Sequence, residues 1–245
     1  MFCIGGYRMA HVLNFLGFAL IPVLAWLVVR YGKTVHKNET RFYWIFGIVF
    51  TFIAFLALVV LIQSDVATFK TDAPIAYALL FQGHIPFAFF VLVMFAGAFK
   101  HKSKAKATLM GVRRELAIIG FFSLLPHVVL LIWLALSNLN PTGTVAFLLM
   151  IPLFITSFRS IRKKMKPVNW RKLHKLAYAV YAIIFLHLAS ITIVFNIMNN
   201  QEDMLAFVLG FVRFALYLIV FAVYTWMRLK NRRPRLKKPP LNQPA

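Results

Sequence analysis

LAIIGFFSLLPHVVLLIWLAL, running from Leu116 to Leu136, decides the fold. It carries no formal charge, and its one ionisable side chain is His127. A helix needs roughly 20 predominantly apolar residues to cross a bilayer, and this stretch supplies them. Outward from it the pattern repeats. Further apolar runs lie at approximately Val12–Val29, Phe42–Ile62, Ile75–Phe99, Val145–Phe158, Leu173–Ile197 and Met204–Met227. The run at Val145 is the shortest and follows Asn140-Pro141-Thr142-Gly143. With 61% hydrophobic and 14% charged residues, against about 25% charged in an average globular chain, no soluble fold accommodates the composition. The expected fold is all-α: a polytopic membrane helix bundle of seven transmembrane helices. Pro126 and Pro152 fall inside spans, where neighbouring helices can satisfy the freed backbone groups.

Charge sets the expected orientation. The net charge of +22 is not a nucleic-acid footprint, because the basic residues sit in short blocks between apolar spans. Arg30–Arg41, Lys100–Arg114, Arg159–Lys175 and Arg228–Lys238 together hold 25 of the 28 Lys and Arg. Seven spans put all four blocks on one side, and Asp65, Asp72, Glu202 and Asp203 on the other. The positive-inside rule then places the N-terminus outside and the C-terminus in the cytoplasm, in a cell membrane. The first run reads as an uncleaved helix rather than a secretory signal: Arg8 is its only preceding basic residue, and no small-residue cleavage site precedes Arg30. The basic, proline-rich tail reads as a disordered anchor drawn to anionic lipid. A single cysteine, Cys3, excludes a disulfide framework and a cysteine-based metal site.

Ionisable residues inside spans are costly and usually functional. His84, His127, His174 and His187 qualify, whereas His11, His36 and His101 sit at span ends or in loops. The fourth and sixth spans run parallel. His127 lies 14 residues beyond Arg113, and His187 lies 16 beyond Arg171. At about 1.5 Å per residue, both stand roughly 20–24 Å above the basic boundary. Two imidazoles at matched depth can hold one haem iron between them. The plainer alternative is that each bonds a hydroxyl or carbonyl on the next helix. The spans hold no carboxylate at that level, which argues against a proton-driven transporter. His174 stands near the inner face, about 140° around an ideal helix from His187. With Arg113 it could hold a haem propionate, a quinone or a flavin phosphate. His84 falls near the level of the histidine pair and could bond a propionate or act as an alternative ligand.

Asn169-Trp170-Arg171-Lys172-Leu173-His174-Lys175-Leu176-Ala177-Tyr178, followed by Leu186-His187, resembles the W-x-x-L-H-x-L-x-Y…L-H pattern of ferric-reductase-like transmembrane domains. The nearest resemblance is to the MsrQ/YedZ type, the haem-binding membrane subunit of the methionine sulfoxide reductase system. Arg113-Arg114-Glu115-Leu116 through Leu125-Pro126-His127 is similar to that family's basic start and single third-helix histidine. Leu149 to Ser157 is similar to its LPL-x-x-TS helix, and Asp72-Ala73-Pro74 to Gly83 to the loop entering its second helix. The likeness covers about Phe42 to Met227. It implies a six-helix core, residues 42–228, binding haem b through His127 and His187, with His174 as a third functional histidine. Residues 1–35 would form an extra N-terminal helix and residues 229–245 a cytoplasmic tail. Oxidase relatives carry a second histidine where this chain has Arg113, which implies one haem, a second being the open alternative. His84-Ile85-Pro86 follows Gly83 where the family has an aromatic residue.

The chain has no Gly-rich dinucleotide fingerprint and no soluble domain for a flavin or nicotinamide, so it is not expected to take hydride from a nicotinamide by itself. The expected function is that of an electron-transfer subunit. It would take electrons from a cytoplasmic flavin reductase or quinol, with FMN, FAD or a quinone at the inner face. It would pass them to an extracytoplasmic reductase partner, by likeness a methionine sulfoxide reductase, in a bacterial cell membrane. A ferric or flavoprotein reductase subunit is the near variant. The rival from another class is a haem-free transporter or assembly protein.

Overall fold

The computed structural model describes residues 12–63, 72–138, 141–198 and 203–231; side chains at 60–61, 130–138 and 195–196 are left aside. Cys3, Arg8, His11, Asp65, Lys70, Glu202 and nearly all of the basic tail lie outside the described residues. Every regular element among the described residues is helical. In chain order they are α1 (Leu16–Lys37), α2 (Glu39–Gln63), α3 (Pro74–Leu80), α4 (His84–Ala96), α5 (Lys104–Asn138), α6 (Pro141–Ile155), α7 (Arg159–Lys164), α8 (Pro167–Leu173), α9 (Leu176–Ile191) and α10 (Met204–Lys230). A π-helical turn, Thr192–Ile197, extends α9.

Among the described residues, five stretches are long and apolar enough to cross a membrane: Leu16–Lys37, Glu39–Val59, Pro74–Ala96, Pro167–Val194 and Met204–Lys230. α6, at 15 residues, is shorter than a span needs. The chain is a multi-pass membrane protein. Its surface agrees: Trp26, Trp44, Phe52, Phe55, Leu186 and Ile219 are exposed, which suits a hydrocarbon solvent and not water.

Two spans depart from the uninterrupted helices that hydropathy predicts, and a third is longer than its apolar run. The run Ile75–Phe99 is broken at Phe81–Gly83, where Gly83 takes φ +72°, a left-handed conformation that glycine adopts without a Cβ penalty. The run that starts at Leu173 is broken at His174-Lys175, between α8 and α9. The angular relation drawn from one ideal helix between His174 and His187 therefore does not apply. α5 begins at Lys104, so the basic block before Leu116 is itself helical.

α4 is the most enclosed element, with ten of its residues buried. One side packs Phe89, Leu92, Val93 and Ala96 against Val28 of α1 and Leu109, Val112, Leu116 and Ile119 of α5. Another packs Phe87 and Val91 on Tyr217 of α10, with Phe18 of α1 alongside. α1 is thus part of the bundle and not an appendage. Phe121 of α5, Met150 of α6 and Val180 of α9 form a third cluster. Small residues bring the backbones close: a Cβ on Gly120 would lie 2.9 Å from that of Phe89.

The basic blocks gather at one end of the bundle. Arg114 pairs with Glu39, and Arg159 with the same carboxylate at 3.0 Å. Arg228 donates to the Gly97 carbonyl and the Tyr178 hydroxyl, and Asn231 to the Ala98 carbonyl. α10 begins at the other end, where Asp203 caps the Leu205 and Ala206 amides at 3.0 and 3.1 Å.

Candidate functional site

His127 sits on α5 directly after Pro126. α3 ends at Leu80 and Gly83 turns the chain, which leaves Phe81 between the two helices. The His127 Nδ1 donates to the Phe81 carbonyl. A carbonyl only accepts, so Nδ1 carries the proton and Nε2 presents its lone pair. The interruption of the third span thus orients the histidine of the fourth. Gly83 itself lies 3.5 Å, measured from a built Cβ, from the His127 ring.

His187 lies on α9. Its Nδ1 stands 3.3 Å from the Thr142 Oγ1, at the start of α6. Gly143 backs the same ring so closely that a Cβ there would meet Cε1 at 2.6 Å and Nδ1 at 2.9 Å. The two imidazoles are neighbours, with centroids 6.3 Å apart and planes at 72°, edge to face. Two metal–imidazole bonds of about 2 Å, each with about 1 Å more from nitrogen to ring centre, span about 6 Å. The donor set is therefore compatible with a single iron: two imidazoles at that spacing, each held through Nδ1. It is also the arrangement in which partners on the far nitrogen fix the coordinating one.

The remaining sequence candidates lie elsewhere. His84 opens α4 fully buried; its Nε2 is 2.9 Å from the Gln82 Oε1, and the Leu13 backbone bonds the ring as well. The ring is thus engaged by Gln82 and by the Leu13 backbone, and it lies within electrostatic reach of His127. Arg213, buried on α10 with its Nε 3.2 Å from the Tyr217 hydroxyl, lies within electrostatic reach of His84. His174 caps α8 at the basic end. Its Nε2 is 3.1 Å from the Thr156 Oγ1 and its ring packs on Trp170, whose Nε1 donates to the Thr156 carbonyl. Arg113 donates Nε to the Val93 carbonyl at 3.2 Å and lines a separate recess with Lys106, Tyr178 and Arg228. Arg113 is nonetheless within electrostatic reach of His174.

Sequence reasoning passed over Thr142, Gly143 and the Phe81 carbonyl, whose roles depend on residues 44 to 46 positions away. It also passed over a polar knot at the basic end. There the His36 Nδ1 is 2.9 Å from the Glu115 Oε1, and Arg114 bridges Glu115 and Glu39. Burial opposes charge on Glu115, but backbone hydrogen bonding and the Arg114 guanidinium hold its carboxyl below the usual carboxylate value. Ligand atoms of His36, Glu39 and Glu115 lie within 4.8 Å of one another. Two guanidiniums already neutralise the carboxylates, so the knot reads as a structural clamp joining α1, α2, α5 and α7.

Fold and site together define a class: an all-helical, multi-pass membrane protein with two neighbouring imidazoles between its helices. Residues 82–185 match the family model of the ferric reductase like transmembrane component, and that segment belongs to this family. It contains His84, Arg113, His127 and His174, with His187 two residues beyond its end. The family is one of membrane redox subunits. Among curated proteins, the chain is 28% identical over 158 residues to an uncharacterized protein of Treponema pallidum (strain Nichols), covering 59% of this chain and 42% of that one. It is 29% identical over 129 residues to the magnetosome protein MamZ of Paramagnetospirillum magneticum, covering 47% of this chain and 20% of that one. The chain thus spans less than half the length of these relatives. No solved structure matches it.

Proposed function

We propose that this protein is a haem b electron-transfer subunit of a bacterial cell membrane, with His127 and His187 as the axial ligands. The observation that carries the reading is the 6.3 Å separation of two imidazoles that both engage the protein through Nδ1. A bound haem would supply a one-electron carrier whose potential is tuned by its ligands and burial.

The chain's own residues do the positioning. The Phe81 carbonyl fixes the His127 tautomer, Thr142 holds the His187 ring, and Gly143 leaves room for it. The apolar cluster of Phe121, Met150 and Val180 between α5, α6 and α9 excludes water. With the basic end cytoplasmic, the donor is a flavin reductase or quinol, and the acceptor a reductase on the opposite side. Likeness to the MsrQ/YedZ type makes that acceptor a methionine sulfoxide reductase, with ferric or flavoprotein reduction as the near variant.

A dithionite-reduced minus oxidised spectrum of the purified protein, with a haem-to-protein ratio, tests the reading. The expected result is a low-spin b-type spectrum near one haem per chain, lost in both His127→Ala and His187→Ala. Absence of haem even after reconstitution, or a full spectrum in His187→Ala, overturns it.

A further inference from the structure

At the basic end, the C-terminal turn of α4, the first turns of α5 and the last turn of α10 enclose a recess of about 190 Å³. Lys106, Arg113 and Arg228 line it, with the hydroxyl-bearing Tyr178 and Tyr224 and the apolar Met110. The ion pairs among the described residues all involve Glu39 or Glu115, and none reaches these three cations. Each cation is tethered to a carbonyl beyond or near the end of α4: Lys106 to Phe99 at 3.1 Å, Arg113 to Val93 at 3.2 Å, and Arg228 to Gly97.

Helix C-capping accounts for one N–H of each. It does not account for the charge, because a helix C-terminus offers only about half a negative charge against three formal positive ones. Arg228 also donates to the Tyr178 hydroxyl and Arg113 also bonds Tyr181, but a guanidinium has five donors in a fork suited to phosphate, so each keeps donors for an oxyanion.

Size decides among anions. Sites for drug-sized ligands run from about 300 to 1,000 Å³, and a water occupies about 30 Å³ of liquid. The recess takes a phosphate and a few linking atoms, not an isoalloxazine or a porphyrin. The iron-binding candidate on the same helix is also out of reach: 14 residues separate Arg113 from His127, about 21 Å of helix. Met110 and Tyr178 are exposed on the apolar surface at the rim, at 46% and 47%, so an acyl chain can lie beside the opening. Basic pockets between transmembrane helices are established docking points for acidic lipid headgroups.

We propose that this recess binds a phosphate group, that of an anionic phospholipid in the leaflet at the basic end of the bundle. The inference is independent of haem binding. The test uses the purified, delipidated full chain in detergent. Native mass spectrometry and thermal unfolding are followed during titration with phosphatidylglycerol, with phosphatidylcholine, and with inorganic phosphate.

The expected result is one phosphatidylglycerol retained per chain and stabilisation by that lipid but not by phosphatidylcholine. Lys106→Gln and Arg228→Gln should each weaken its apparent affinity about tenfold, as loss of a charge-assisted contact does. Lys230→Gln, whose ammonium stacks on Trp226 outside the recess, should leave it unchanged. Arg228→Gln could disturb folding, since Arg228 ties α10 to Gly97 and Tyr178, so Lys106→Gln, checked by circular dichroism, is the deciding variant. Stabilisation by inorganic phosphate alone keeps the phosphate site and overturns the lipid source. Failure of both probes to bind, or binding that Lys106→Gln leaves unchanged, overturns the proposal.

Discussion

Gly143→Ala probes the geometry of the histidine pair without touching either histidine. Its Cβ would stand 2.6 Å from the His187 Cε1 and 2.9 Å from Nδ1, against an ordinary contact of about 3.5–4.0 Å. The ring or the start of α6 must yield by about 1 Å. Overpacking of this kind costs about 1–3 kcal/mol, offset by at most about 1 kcal/mol of helix propensity gained on leaving glycine. Global stability should therefore fall by no more than about 3 kcal/mol. The effect on His187 is larger, because its Nδ1 loses register with Thr142. Disturbing a ligand's supporting partners costs 10- to 100-fold in affinity, about 1.4–2.7 kcal/mol. Titration of apoprotein with haemin, followed by the Soret band, reads the affinity, and thermal unfolding reads the stability. Gly111→Ala is the control: a Cβ there meets nothing within 4 Å, so it should stabilise by up to about 1 kcal/mol and leave haem affinity alone. If Gly143→Ala bound haem within twofold of the parent, with the same spectrum, the argument that Gly143 makes room for a ligating His187 would be refuted.

Three further outcomes follow from the contacts. Thr142→Val should lower haem affinity about tenfold while Thr142→Ser retains it, measured by the same titration, because only the hydroxyl engages the His187 Nδ1. Glu115→Gln should cost about 2 kcal/mol in chemical unfolding; losing a buried ion-pair partner costs up to about 5 kcal/mol, but Arg114 keeps Glu39. Because the Glu115 pKa is lowered in the fold, its contribution is complete above the ordinary glutamate value of about 4.3 and is lost as pH falls through the lowered one. The gap in unfolding temperature between parent and Glu115→Gln should accordingly close in acid, and a gap that widened there would contradict the clamp. Asp203→Ala removes the acceptor from two amides at the start of α10 and should cost about 1 kcal/mol, with faster hydrogen exchange at Leu205 and Ala206.

Much of this protein follows from quantities that run along the chain. Hydropathy is summed over consecutive residues, so the apolar runs, the all-helical class and the membrane location are legible from Leu116–Leu136 and its neighbours. Helical rise is equally one-dimensional, and counting residues from Arg113 and Arg171 was enough to single out His127 and His187 as a pair of equal depth. Only the tertiary structure decided what each imidazole does with its other nitrogen. That depends on the Phe81 carbonyl beside the break at Gly83 and on a hydroxyl from a helix 45 residues away. The same is true of the partners of His174 and Arg113, which share a depth by counting: His174 meets Thr156, whereas Arg113 meets the Val93 carbonyl and lines a recess with Lys106 and Arg228. Backbone breaks and cross-helix partners are set by packing between segments remote in sequence, and neither hydropathy nor residue counting carries that information.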